Sequence, residues 1–174
     1  MSTLHVENLK GLSSGGNANK IIVPSGQELH ASGHTLQTVF NTAPSTSLQA
    51  IDSASFVATN ISVSITPKSS SSSMFITCNV NFDSATGTNF SAGIFKDGTI
   101  VTPKSPSGTY DAHIYFNRIS VGRLIMHQSI HATDATVGTT SAVTYKLYVK
   151  THSGNILLRH DLTTCRISVQ EIAQ

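Results

Sequence analysis

Histidine is the residue type in this sequence best suited to chemistry, because it binds metals and exchanges protons near neutral pH. The chain has eight histidines among its 174 residues. His127 and His131 are four positions apart on an expected strand, so they share a face but are separated by about 13 Å. That distance is too long for one metal ion within a chain, although three copies around an axis could bring like histidines together. An exposed polar strand face accounts for the pair as well, and we predict no metal site and no cofactor.

The serines and carboxylates do not indicate a hydrolytic active site. No Gly-x-Ser-x-Gly nucleophile motif is present. Most of the nine carboxylates fall in expected turns, where aspartate is favoured for local hydrogen bonding. Glycoside cleavage needs two facing carboxylates, and nothing in the sequence pairs them. There is also no glycine-rich phosphate loop, so we predict no catalytic residue and no enzyme activity.

The two cysteines, Cys78 and Cys165, lie in expected strands and lack the CxxC spacing typical of a zinc site. Cysteine is among the most buried residue types, so we expect two reduced thiols in the core. A disulfide between them stays open as an alternative, and it requires their Cβ atoms to face each other.

Ligand binding is a more serious alternative to a purely structural role than catalysis is. We expect it in the loops between strands. Two loops stand out, Pro103–Asp111 and Thr133–Ser141. The aromatic and imidazole rings of Tyr110, His113 and Tyr115 could stack on a sugar, so we treat these three as candidate receptor-facing residues. Aromatic residues are more often buried or placed in subunit interfaces than used to bind sugars.

The composition excludes several partners. Charged residues make up 11% of the chain, against about 25% in an average protein, and the net charge is only +2. The basic residues form no tract, so we expect no nucleic-acid binding. No apolar run approaches the length of a membrane span, and the N-terminus lacks the basic and apolar regions of a signal peptide. We therefore expect synthesis in a cytoplasm and no membrane insertion.

Strand periodicity dominates the C-terminal third. Apolar residues alternate along Val143–Val149, and a Ser-Gly-Asn turn at 153–155 separates this run from Ile156–Leu158. We interpret these two runs as a hairpin, with Cys165–Ile172 returning to complete the sheet.

Earlier strands follow the same pattern. Met74–Phe82 alternates over most of its length, and Asp97-Gly98 between two apolar runs is a strong hairpin signal. With about eight strands between residues 56 and 172, the sequence predicts an all-β fold, a C-terminal antiparallel β-sandwich of jelly-roll-like form. Ser47–Ser55 is the one stretch where we expect a turn or two of helix.

The N-terminal part differs from the rest, and we divide the chain into three. Residues 1–40 form an extended attachment or oligomerisation segment, residues 41–55 a linker, and residues 56–174 the sandwich. Residues 1–40, which we call the leader, have few apolar side chains. We therefore expect the leader to be ordered only by a partner or by other copies of itself. Its candidate attachment residues are Leu4, Val6, Leu9, Ile21, Val23, Leu29 and Leu36.

Several stretches resemble tail-fibre-like proteins of tailed phages, especially those infecting marine bacteria and cyanobacteria. No single motif is diagnostic, and the order and spacing of the stretches carry the resemblance. They are Gly33–Gln37, Asn60–Ile76, Thr140–Val149, Ser153-Gly154 and Ile167–Ile172. Many relatives have an Asn-Arg pair after the penultimate strand, where this chain has Leu158-Arg159-His160-Asp161, so a detailed receptor role is not transferred.

The resemblance implies a virion structural protein, assembled as a homotrimer, with its N-terminus docked to tail or capsid proteins and the sandwich displayed outward for host attachment. One alternative is a capsid decoration or head-fibre protein. Another is a host-surface module that binds polysaccharide. In each case the expected location is the virion.

Overall fold

The computed structural model divides the chain into two units, Met1–Ala31 and Ser32–Gln174. The second unit contains nearly all of the described structure. The residues described are 14–15, 31–43, 48–84, 87–101, 112–117, 122–159 and 164–174.

The second unit is all-β, and its described residues contain eleven strands and no helix. The strands are β1 (Thr35–Thr42), β2 (Leu48–Ile51), β3 (Val57–Ile65), β4 (Ser73–Ser84), β5 (Asn89–Lys96), β6 (Thr99–Ile100), β7 (Ile114–Phe116), β8 (Leu124–Asp134), β9 (Val143–Ser153), β10 (Ile156–Arg159) and β11 (Arg166–Ile172). They form two antiparallel sheets, one of six strands and one of five. The predicted β-sandwich is therefore confirmed.

The sheets join strands that are distant in sequence. In the six-stranded sheet β1 pairs with β11, β11 with β4, and β4 with β8, while β10 and β2 extend it beside β4. In the five-stranded sheet β3 pairs with β9, β9 with β5, and β5 with β6 and β7. Among the other eight strands, when β2, β6 and β10 are left aside, β1 pairs with β11, β3 with β9, β4 with β8 and β5 with β7, which is the nested order of a jelly roll.

The core lies between the two sheets and follows the alternation in the sequence. On β9 the inward residues Val143, Tyr145, Leu147 and Val149 are buried, and the residues between them are half-buried. Across the core, the rings of Phe82 on β4 and Phe90 on β5 have centroids 4.8 Å apart. One buried face per strand is what a period of two predicts.

The hairpin predicted around Ser153–Asn155 is wrong. Strand β9 lies in the five-stranded sheet and β10 in the six-stranded sheet, so the Ser-Gly-Asn turn carries the chain from one sheet to the other. Gly154 has a φ of +69°, and a Cβ there would lie 2.8 Å from the Thr88 hydroxyl oxygen. The turn residues predict a change of direction correctly, but not which strand becomes the neighbour.

The sandwich begins earlier than the sequence predicts. Thr35–Thr42 pairs with β11 along its length, and Val39 packs against the core. The Gly33 N–H also donates to the Ala173 carbonyl at 2.8 Å. Residues 35–40 are thus ordered by the chain's own C-terminal strand and not by a partner, because backbone pairing supplies what their few apolar side chains do not.

The boundary at 41–55 also needs correction. Strand β2 pairs with β10, and Ile51 is buried, so part of the expected linker belongs to the six-stranded sheet. The helical turn expected within Ser47–Ser55 is a strand instead, since pairing with β10 outweighs weak local preference.

Candidate functional site

The outer face of the five-stranded sheet has a cluster of aromatic rings. Phe95 stacks on Tyr148 with centroids 4.2 Å apart, and Phe56 lies against Phe95 at 5.1 Å. The ammonium group of Lys150 is 4.7 Å from the centre of the Phe56 ring, which is cation–π geometry. Tyr148 and Lys150 point outward because Leu147 and Val149 of the same strand point into the core. The cluster could support a flat apolar ligand beside a positive charge.

Two of the three candidate receptor-facing residues lie on this same face. Tyr115 is opposite Ser91 on β5, and its ring meets the His152 ring edge-on at 5.5 Å. His113 precedes β7, and its Nδ1 accepts a hydrogen bond from the Ile94 N–H at 3.1 Å. Burial lowers the pKa of His113, partly offset by the Val101 backbone. His113 therefore holds β7 beside β5 as a neutral ring. Tyr110 and the whole loop Pro103–Asp111 lie outside the described residues.

The loop Thr133–Ser141, the other expected recognition loop, is largely tied down. Its first two residues extend β8. Val137 is buried, and its N–H donates to the Ser72 carbonyl at 2.9 Å, while the Gly138 N–H donates to Ser70 at 2.9 Å. These contacts fix the loop against the serine-rich turn before β4, so it is less available for recognition than its polar composition indicates.

A serine and a histidine form a close pair on the five-stranded sheet. The Ser91 hydroxyl and the His152 Nε2 are 2.8 Å apart, a separation at which a histidine can activate a nucleophile. The Ser91 side chain has no exposed surface, however, so a substrate cannot approach it. Burial, and to a lesser extent the charge of Lys150, lower the pKa of His152. The hydrogen bond is placed to orient the His152 ring against Tyr115.

A pocket of about 310 Å³ opens at one end of the five-stranded sheet, beside the β5–β6 hairpin. Its lining residues are Lys96, Asp97, Thr99, Ile100, Val101 and Asp134.

Two of the three charged groups of this pocket, Lys96 and Asp134, form an ion pair, while Asp97 accepts a hydrogen bond from the Thr144 N–H. Lys96 Nζ lies 2.8 Å from the Asp134 carboxylate and donates to the Val137 carbonyl at 2.6 Å. The Tyr145 hydroxyl also donates to Asp134, at 2.7 Å, and burial together with this carboxylate raises the pKa of Tyr145. Lys96, Asp134 and Tyr145 thus join β5, β8 and β9.

The buried carboxylates were not anticipated from the sequence, which places most acids in turns. Asp83 lies within β4, and its side chain is ion-paired with Arg159 at 2.8 Å and with Arg123. Hydrogen bonding from Arg123 lowers the pKa of Asp83, and Arg159 adds to the effect against the opposing influence of burial. Because one arginine lies in β10 and the other just before β8, both distant in sequence from β4, no local pattern reveals this group.

The histidine pair is placed as the sequence predicts. His127 and His131 both lie on the exposed side of β8, where they contact Asn81 Oδ1 at 2.6 Å and Thr77 Oγ1 at 3.2 Å. Within the ranges described, no three His, Cys, Asp or Glu side chains come together as a metal site would require. Cys78 and Cys165 are buried free thiols, and burial raises the pKa of each.

Of the candidate attachment residues, the structure describes one. Leu36 lies in β1 and is half-buried within the sandwich. The others lie outside the described residues; they are Leu4, Val6, Leu9, Ile21, Val23 and Leu29.

No protein-family model matches the chain, and no curated protein matches it. Among the described residues there is no helix long and apolar enough to cross a membrane.

Proposed function

We propose that this chain is a tail-fibre-like structural protein of a phage virion, assembled as a homotrimer. The leader docks to the particle and the sandwich is displayed outward. The observation that carries the proposal is the division of the chain into a separate leader unit, Met1–Ala31, and one β-sandwich. The resemblance of five stretches to tail-fibre-like proteins indicates that the particle is a tailed phage.

The structural character of the polar groups supports this function. Among the acids that the structure describes, the three most deeply placed each join separate strands or turns: Asp83, Asp134 and Glu171. Groups committed in this way stabilise a display scaffold and are not free to transfer protons in catalysis.

Immunogold electron microscopy of purified phage particles from the host culture tests the proposal. Antibodies raised against the full chain should label intact particles at a fixed position, on the tail or on the capsid. A capsid position would make the protein a decoration or head-fibre protein. Absence of label, with the protein found only in the unassembled lysate fraction, would contradict a virion role.

Polysaccharide binding is the second candidate, and the aromatic cluster of Phe56, Phe95 and Tyr148 favours it. Stacking on sugar rings uses aromatic faces of this kind. If the cluster binds glycan, Tyr148→Ala should weaken binding on an array of host-surface polysaccharides at least tenfold. Phe75→Ala, which removes an aromatic ring from the other sheet, is the matched control and should bind as the wild type does. Equal binding by both variants, or none by the wild type, counts against this function.

A further inference from the structure

The outward side chains of β9 form a row that continues the aromatic cluster. Strand β9 lies between β3 and β5 in the five-stranded sheet. Its alternate residues are buried in the core, so the residues between them face outward: Lys146, Tyr148, Lys150 and His152. We call these four residues the β9 row. Successive residues on one face of a strand are about 7 Å apart, so the row is about 20 Å long. It places an aromatic ring between two cations, with an imidazole at one end.

The side chains beside the β9 row are uncharged. No aspartate or glutamate occurs in any of the five strands of this sheet. Among the residues that the structure describes, no carboxylate lies within ion-pair distance of Lys146 or Lys150. Strand register places five outward residues of β3 and β5 opposite Lys146, Tyr148 and Lys150. They are Ala58, Ser62, Ser91, Gly93 and Phe95.

Two acids border this face, one near each end of β9. Asp97 lies in the β5–β6 turn, and its carboxylate accepts a hydrogen bond from the Thr144 N–H at 2.9 Å. Asp52 is exposed in the connection between β2 and β3, next to Ser53, whose carbonyl accepts the Thr151 N–H at 2.8 Å. Both acids flank the row and neither is part of it. The row itself is therefore positive, and an anionic partner is complementary to it.

The aromatic rings indicate that this partner contains rings of its own. Tyr148 stacks on Phe95, and Phe56 lies against Phe95 on the same face. All three side chains are half-buried, and the Lys150 ammonium group is 4.7 Å from the centre of the Phe56 ring. Sugar rings pack their apolar faces on aromatic platforms of this kind. A sugar ring on this platform would have a lysine on either side.

The spacing of the two lysines separates an acidic polysaccharide from a nucleic acid. The Cα atoms of Lys146 and Lys150, four residues apart on one strand, are separated by about 13 Å. Phosphates follow one another about every 3.4 Å along each strand of duplex DNA, and proteins that bind it neutralise several of them at once. Two lysines at this separation suit a polymer with sparse charges, such as a polysaccharide in which only some rings have an acid group.

We propose that the β9 row binds an acidic polysaccharide. Sugar rings pack on Tyr148 and its aromatic neighbours, while acid groups of the polymer pair with Lys146 and Lys150. This inference rests on the second candidate function, polysaccharide binding, and names the class of polysaccharide and the two residues that select it. It holds for a protein on the tail and for one on the capsid.

Binding of the full chain to matched pairs of polymers tests the inference by calorimetry. The acidic polymers are hyaluronate, alginate and a sparsely sulfated dextran, and each is compared with its neutral form, carboxyl-reduced or unsulfated. The wild type should bind at least one acidic polymer about tenfold or more tighter than its neutral form, because charge-assisted hydrogen bonds are lost with the acid groups. Lys146→Gln with Lys150→Gln should abolish this preference. Lys68→Gln with Arg166→Gln removes two exposed positive charges from elsewhere and should keep the preference.

Every other result counts against the inference. Equal binding of the acidic and neutral forms by the wild type would show that the lysines select nothing, although polysaccharide binding would stand. A preference that survives in the double lysine variant would place the acid groups elsewhere. Binding of none of the polymers would remove polysaccharide binding as well, and the virion role, which microscopy tests, would be unaffected. Tighter binding of a single-stranded oligonucleotide than of any polysaccharide at physiological salt would also overturn the inference.

His152 gives a second measurement at the end of the β9 row. Burial, and to a lesser extent the charge of Lys150, lower the pKa of His152. Its ring also contacts the Ser91 hydroxyl and the edge of Tyr115. An acid group paired with Lys150 would offset the lysine charge, so the acidic polymer that binds should raise the pKa of His152 in an NMR titration, and its neutral form should not. Lys150→Gln should abolish the rise. An unchanged pKa of His152 at saturating acidic polymer would show that the polymer binds elsewhere.

Discussion

Glu171 shows how a single residue fastens three parts of the sandwich. The side chain is fully buried on β11. It accepts hydrogen bonds from Gln37 Nε2 at 2.6 Å and from the backbone N–H groups of Lys68 and Ser69 at 2.8 and 3.2 Å. Gln37 also donates to the Thr66 carbonyl at 2.7 Å. One carboxylate thus joins β1, the turn before β4 and β11.

Replacing this carboxylate should destabilise the sandwich. Glu171→Gln keeps the size of the side chain but turns an NH₂ group toward groups that are themselves donors. We expect the free energy of unfolding to fall by about 2–4 kcal/mol, measured by urea denaturation, because hydrogen bonds to a charged acceptor are lost. Asp52→Asn is the matched control, since Asp52 is exposed, and it should change stability by less than about 0.5 kcal/mol. Equal effects of the two substitutions would show that the buried network contributes nothing.

Acid should weaken the protein through the same group. Burial acts to raise the pKa of Glu171, but the hydrogen bonds from Gln37 and its neighbours outweigh burial and hold the pKa below its ordinary value. The stabilisation is therefore complete above the unfolded pKa of about 4.3 and is lost as the pH falls through the folded value. Thermal unfolding at a series of pH values should show the gap between wild type and Glu171→Gln narrowing below about pH 4. A gap that stays constant down to pH 2 would contradict this account.

At the scale of elements, the local sequence predicts strand pairing correctly where the two strands are close in sequence. The Asp97-Gly98 hairpin is confirmed, and both residues have positive φ, +46° and +87°, as this tight turn requires. Strand β4 also follows from its alternation. Strand β1 could not be found in this way, because its stability comes from β11 at the other end of the chain. The prediction of a β9–β10 hairpin is wrong for the same reason, since the residues of the turn do not determine which sheet each strand joins.

The turn that crosses between the sheets offers a test at this scale. At Gly154 the backbone has a positive φ, and the methyl group of an alanine would lie too close to Thr88. Gly138 has a similar φ of +76°, but the methyl group of an alanine there would meet open space. Both should lose about 1 kcal/mol from backbone strain. Gly154→Ala should lose roughly a further 1–3 kcal/mol from the clash, measured by chemical denaturation. If the two variants are equally stable, close packing at the crossing has no energetic role.

The site shows the same limit of sequence-based prediction. Tyr115 and His113 were identified as aromatic and polar residues near a loop, and they do share a face. The sequence does not identify Phe95 and Tyr148 as part of this face, because only the register between β5 and β9 brings these two residues together. A period of two shows which side a residue faces, but register decides what it meets.

At the scale of the whole molecule, the two sheets have different outer faces. The five-stranded sheet has lysines and a stacked aromatic cluster, while the six-stranded sheet has the exposed rings of Phe40 and Phe75. The jelly roll provides both faces from a single core.

The mass of the full chain in solution tests this account most directly. Light scattering of the wild-type protein at micromolar concentration, after size-exclusion chromatography, should give three times the 18.4 kDa mass of one chain. A mass of 18.4 kDa that persists as the protein is concentrated would contradict the proposed homotrimer.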